Sequence, residues 1–248
     1  MAFDRVPLDD EFQALVAFDW GGDAAALAKI DAAIVERHGD AALTAAIERR
    51  LLDVVGGSAS RAAKEYACRR LALIGTAAAV PVLAPLLADP ADSHMARYAL
   101  ERIPAVEAAD ALREAVGTVR GDLVIGMLSS LANRRDAASV ATLAPLLAGG
   151  PGVAAAAAAA LGRIATPEAA AALAAAKPTP GPATEAVVDA RLACADAFLA
   201  AGERTAAKPI YAAIATQVGD VPRTHRQRAV RVAARSGLLA CLDDTVAS

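Results

Sequence analysis

Apolar positions recur along this chain in two interleaved series. The first is a set of i, i+3 pairs, Leu71 with Ile74, Leu100 with Ile103, Leu128 with Leu131 and Leu161 with Ile164. Each pair falls on one face of a helix. The second is a single leucine one element later, at Leu83, Leu112, Leu143 and Leu173, with gaps of 29, 31 and 30 residues. Between the series lie the breakers GTAAA, PAVEA, ANRRDA and ATPEA. The pattern predicts four helix–turn–helix units in residues 61–176. The phrase LAPLLA, at Leu83–Ala88 and again at Leu143–Ala148, is one helical stretch written twice, sixty residues apart.

Local signals agree with that register. Pro104 and Pro167 stand near the starts of second helices, where a missing N–H costs little, and Thr166 and Asp136 suit N-caps. The spacing buries Leu112 and leaves Arg113 at the surface. A helical pair of about thirty residues cannot cover its own apolar face, so each must stack on its neighbours. Alanine at the contacts lets helices approach closely, and the run Ala154–Ala160 predicts an especially close approach there.

The flanks extend the plan. Residues 1–60 carry three amphipathic helices that cap the stack, with breaks at DWGGD and HGD; residues 177–182, KPTPGP, form a Pro-rich linker; residues 183–248 hold helices that continue the stack or close its end. The linker predicts that residues 1–177 stay folded without the rest. The fold class is all-α, an α/α superhelix of about 12–15 helices.

The lines RAAKEYACRRLALIGTAAAVPVLAPLLADP and AAAAAALGRIATPEAAAALAAA resemble the short HEAT-like repeats of phycobilisome-lyase-type proteins, whose pattern runs roughly R-x-A-A-x-A-L-x-x-I-G-x-x-x-A-V-P-x-L. The resemblance covers Arg61 to Ala176. It implies a HEAT-like α-solenoid and is nearly silent on activity; a tetrapyrrole lyase or chaperone follows from the family name alone. FDWGGD beside SHMARYALERI is similar to bacterial HEAT-repeat proteins of unassigned function, often parts of longer, exported chains. Ankyrin fits less well, because Thr166 and Pro167 lack the following Leu-His. Tetratricopeptide repeats suit only Cys194–Ile214.

Composition sharpens the class. Hydrophobic residues make up 56% of the chain but aromatics only 3%, so alanine, leucine and valine carry the apolar fraction and helices follow. The net charge of −3 argues against a general nucleic-acid binder. No run approaches the roughly 20 strongly apolar residues of a membrane span. The acidic start MAFDRVPLDDEF lacks the basic and apolar regions of a signal peptide, so the chain as written reads as soluble and cytoplasmic, while the same start fits the edge of a longer exported chain.

Catalytic constellations are missing from the sequence. His38, His94 and His225 are scattered singly, without the His-Glu pairs of di-iron HEAT-repeat hydroxylases; Cys68, Cys194 and Cys241 lack zinc spacing and read as inert thiols. GGSAS at Gly56–Ser60 lacks the lysine of a P-loop, and G-x-S-x-G does not occur. The reading is therefore no enzyme, no metal and no cofactor. Trp20 between Asp19 and Asp23 reads as a cover for the end of the first helix rather than a ligand corner.

The strongest polar signal is cationic: Arg69 and Arg70, then His94, Arg97, Tyr98 and Arg102, then Arg134, Arg135 and Arg163, each set on a first helix or at its end. Stacking would align part of it. We read it foremost as a solvated face whose Arg stems cover alanine, and secondly as a groove for an acidic partner. The binding candidates are Arg69, Arg97, Tyr98, Arg102 and Arg134. A second cluster, Arg223–Arg235, places Arg228, Arg231 and Arg235 on one stripe and reads as a polar end-cap. The functional expectation is a non-catalytic scaffold that binds a protein or peptide; the alternative is a DNA-glycosylase-like nucleic-acid binder using the Arg patches.

Overall fold

The computed structural model describes residues 8–37, 39–177, 181–217 and 224–242. Among these residues the chain is all-α, with fourteen α-helices, four short 3₁₀ turns and no strand. Helices pack on helices close in sequence, in the manner of a solenoid.

Two compact units meet in sequence between Val119 and Arg120. The first contains α1 (Asp9–Ala17), α2 (Ala25–Glu36), α3 (Ala41–Gly56), α4 (Arg61–Ile74), α5 (Val80–Leu83), α6 (Ser93–Arg102) and α7 (Val106–Thr118). Here α1 packs on α2, α3 on α4, and α4 on α6. The second contains α8 (Asp122–Arg134), α9 (Val140–Leu143), α10 (Pro151–Ile164), α11 (Pro167–Ala175), α12 (Pro182–Ala200), α13 (Arg204–Gln217) and α14 (His225–Ala240). In it α8, α10 and α12 form a row, and α13 and α14 close on α12.

The leucine series is the spine of both units. Leu83, Leu112, Leu143 and Leu173 are at most 1% exposed, and every member of the i, i+3 pairs is buried. Arg113 departs from the expected register: it is half-buried and pairs with Asp110 one turn earlier, its aliphatic stem letting it lie along the helix.

The repeated phrase is not one continuous α-helix. The stretch around each copy is a 3₁₀ turn, one α-turn and a second 3₁₀ turn: Ala77–Ala79, α5 and Ala84–Ala88 in one, Ala137–Ser139, α9 and Ala144–Ala148 in the other. Pro85 and Pro145 explain the break, since proline has no N–H to offer the carbonyl four residues back and its ring crowds that carbonyl. Residues 77–88 and 137–148 share nine of twelve identities and the same burial at every position. The second helices α7 and α11 carry no internal proline and stay α-helical. The structural repeat is thus a sixty-residue module of two helical pairs, present twice.

Caps fix the ends. Asp40, Ser60 and Thr166 accept the N–H of Leu43, Ala63 and Ala169, and Thr224 with Gln227 forms a capping box on α14. Asp136 stands at the start of its turn and accepts a hydrogen bond from the Ser139 hydroxyl. The buried Glu48 of α3 accepts from the N–H of Thr76 at 2.6 Å and its hydroxyl at 3.0 Å, which ties α3 to the turn after α4. At Gly75 a Cβ would stand 2.4 Å from the Leu71 carbonyl oxygen and 2.8 Å from Ile103 Cδ1, so only glycine lets Ile103 reach this turn.

The C-terminal part of the linker reading changes. Pro178, Thr179 and Pro180 lie outside the described residues, and Pro182 is already the first residue of α12, which packs along α10. Ala154, Ala157, Ala158 and Ala160 of α10 are buried, as the alanine run predicts. Among the described residues no helix is long and apolar enough to cross a membrane.

Candidate functional site

The first unit holds a concavity of about 370 Å³ between the α1–α2 turn and α4. Aromatic and aliphatic walls come from Phe18, Trp20, Leu27 and Tyr66. The α1–α2 turn is built by two aspartates that fold back on the backbone: Asp19 accepts the Trp20 N–H and Asp23 the Ala25 N–H, each at 2.9 Å. Ser60 at the α4 N-cap donates to the Phe18 carbonyl and so holds the turn against α4. Trp20 does not cover a helix end: the residue is 65% exposed and lines the concavity. The tight turn, which places Gly21 at φ 84°, carries the ring outward instead of down onto α1.

The polar floor is a closed set of partners. Arg70 grips Asp31 with both ends of its guanidinium, Nε to Oδ1 at 2.7 Å and Nη2 to Oδ2 at 2.6 Å, while its Cζ lies 3.9 Å from the centre of the Tyr66 ring. The Tyr66 hydroxyl faces Asp31 Oδ1 at 2.8 Å and the Leu27 carbonyl oxygen at 3.0 Å, sharing its one proton between them. Partial burial works against the Asp31 charge, but the hydrogen bonds from Arg70 and Tyr66 outweigh it and hold the carboxyl below its usual range. Burial, with the Asp31 charge beside it, pushes the Tyr66 phenol upward. Positive and negative charge therefore cancel inside the floor.

A smaller concavity of about 190 Å³ adjoins it, sharing Glu65 and Arg69 and adding Cys68, His94, Met95 and Tyr98. Of the sequence candidates, Arg69 and Tyr98 meet here. Arg69 pairs with Glu65 one turn back on α4. Tyr98 is 37% exposed; Arg102 stacks on its ring at 4.0 Å, donates to its carbonyl at 3.3 Å and lies 3.5 Å from Glu101. Arg97 is half-buried, reaches His94 Nδ1 at 3.3 Å, and burial lowers its pKa from the usual arginine value. Arg134 belongs to the other unit, half-buried in the last turn of α8. Sequence reasoning singled out the arginines and did not find Asp31, Tyr66 or Phe18. Asp31 lies 39 residues from Arg70, and only the fold, which places α2 across from α4 within reach of these side chains, brings the two together.

The remaining candidates also take structural positions. Burial raises the thiol of Cys68 to about 12 and that of Cys194 to about 11, far from a reactive thiolate; Cys241 is half-buried. His38 lies outside the described residues. In the C-terminal basic cluster Arg223 also lies outside them, and Arg226 bridges α14 to Asp189 and Glu185 of α12. Among the described residues no group of three or more His, Cys, Asp or Glu side chains converges in a way that could hold a metal ion.

No protein-family model matches the chain, and no curated protein matches it.

Proposed function

We propose that this chain is a non-catalytic, HEAT-like repeat scaffold that binds a segment of a partner protein, and that the concavity between the α1–α2 turn and α4 is its seat. The observation that carries the reading is Trp20: a tryptophan 65% exposed at the rim of a pocket whose floor charges are already paired. Exposed tryptophan beside a preformed hollow with apolar walls is the pattern of an interface anchor, and Tyr98 with Arg69 extends the same face. Because Asp31 and Arg70 neutralise each other, the pocket favours an apolar or aromatic side chain of the partner over an acidic one.

The test is selection of displayed random peptides on the full chain, followed by titration of the winners against Trp20→Ala and Tyr98→Ala. Peptides sharing one apolar anchor, weakened about tenfold or more by Trp20→Ala, are expected. Failure to select any peptide, or binders indifferent to Trp20, overturns the reading. Salt-dependent DNA or RNA binding at low ionic strength would favour the nucleic-acid alternative.

A further inference from the structure

The second unit contains a larger concavity of about 540 Å³, formed where α10 and α12 run side by side below the end of α8. Its floor is almost bare backbone: Ala159 and Gly162 of α10 face Ala186, Ala190, Ala193 and Ala197 of α12. Gly162 sits so close to Ala190 that no side chain fits between them. Above this floor stand two exposed arginines, Arg135 and Arg163, and neither has an ion pair among the described residues. The one acid in the lining, Asp189, is engaged by Arg226 from α14. Unlike the pocket of the first unit, this one carries uncancelled positive charge.

Arg135 occupies a position where arginine is unexpected. It ends α8 at φ 51° and ψ 43°, its N–H bonded to Ala132 and that of Asp136 to Leu131, the helix stop at which glycine is the usual residue. The side chain there adds strain and takes no ion-pair partner among the described residues, yet it reaches the concavity.

We propose that this concavity binds a phosphomonoester, with Arg135 and Arg163 gripping the phosphoryl group and the alanine floor receiving a compact, uncharged organic body. Two guanidiniums match a group that carries about −1.5 to −2 charge at neutral pH, and each can bond two of its oxygens. A single carboxylate carries one negative charge and balances only one of the two. Apart from Asp189, which Arg226 engages, the floor lacks any side chain longer than a methyl, so a flat apolar body can lie against it, and the volume suits a small ligand.

The test titrates the full ¹⁵N-labelled chain with inorganic phosphate and with phenyl phosphate in a phosphate-free, low-salt buffer, following the amides of Ala159, Gly162 and Ala190. Saturable shifts at these residues are expected, with phenyl phosphate the tighter probe. Arg135→Gly and Arg163→Gln should each weaken binding about tenfold or more, whereas Arg49→Gln, an exposed arginine of the first unit, should not. Because glycine suits the Arg135 backbone, Arg135→Gly should melt no lower than the parent chain, which separates lost binding from lost fold. Absence of saturation, or equal weakening by Arg49→Gln, overturns the proposal. Equal affinity for both probes would assign the site to free phosphate and overturn the organic ligand.

Discussion

Gly162 of α10 lies against Ala190 of α12 with no room for a methyl group: a Cβ at 162 would stand 2.8 Å from the Ala190 Cα and 2.9 Å from its Cβ. Two effects compete in Gly162→Ala. The helix backbone gains about 0.5–1 kcal/mol from losing a flexible glycine, but overpacking a tight contact costs about 1–3 kcal/mol. Since the obstacle is backbone and not a movable chain end, overpacking wins and the variant should be destabilised. Gly117→Ala on α7, where a Cβ meets nothing within 4 Å, isolates the first effect and should be neutral or slightly stabilising. Denaturant melts of both variants check the pair; equal behaviour would mean that α10 and α12 are not in this register.

The Asp31–Arg70 clamp predicts a pH dependence with a definite sign. The folded-state pKa of Asp31 is lowered, so its contribution to stability is full above the unfolded value of about 3.9 and is lost as pH falls through the folded value. Asp31→Asn should lose stability at neutral pH, about 1 kcal/mol after allowance for a side chain 42% exposed. The difference between parent and variant should shrink below the unfolded pKa. Denaturant midpoints across the acid range measure it, and a constant gap would show that Asp31 acts through shape alone.

Much of the fold was legible in the sequence because the leucine and isoleucine positions report one physical fact, burial, at a regular spacing. Leu71 with Ile74 and Leu161 with Ile164 needed no knowledge of the neighbouring helix to be placed inside. The 3₁₀ interruptions escaped although Pro85 and Pro145 were in plain view, because a leucine-rich phrase keeps its inward face in either helical form. The candidate site was mostly illegible. Whether Arg70 meets solvent or Asp31 depends on where the fold sets α2 relative to α4, and whether Trp20 caps a helix or stands free depends on the path of one turn.

The register itself can be tested at three consecutive positions of α7. Leu112→Ala removes a side chain with no exposed surface and should cost about 2–5 kcal/mol. Glu114→Ala at an exposed position should stay within about 0.5 kcal/mol. Arg113→Ala falls between them, because its half-buried stem and its pair with Asp110 are both lost. Thermal melts that rank the three in any other order would displace α7 by a residue.

Truncation distinguishes a cut at a unit boundary from a cut through a packed pair. Ending the chain after Val119 keeps the first unit whole, with Leu83 and Leu112 still covered by α4 to α7, so residues 1–119 should remain helical and melt cooperatively. Ending it after Lys177 removes α12 to α14 and strips α10 of the helix whose Ala190 and Cys194 meet Gly162. Alanine methyls along α10 offer little apolar area, at about 25 cal/mol per Å², so what remains of the second unit has a thin core with one face open. Residues 1–177 should therefore show two transitions, one matching that of residues 1–119 and a second, broader one at lower temperature. Circular dichroism melts of the two fragments and the full chain decide it. A single sharp transition for residues 1–177, at the temperature of the full chain, would mean that α12 adds nothing to the stability of α10 and that the Pro-rich stretch before it is a true seam.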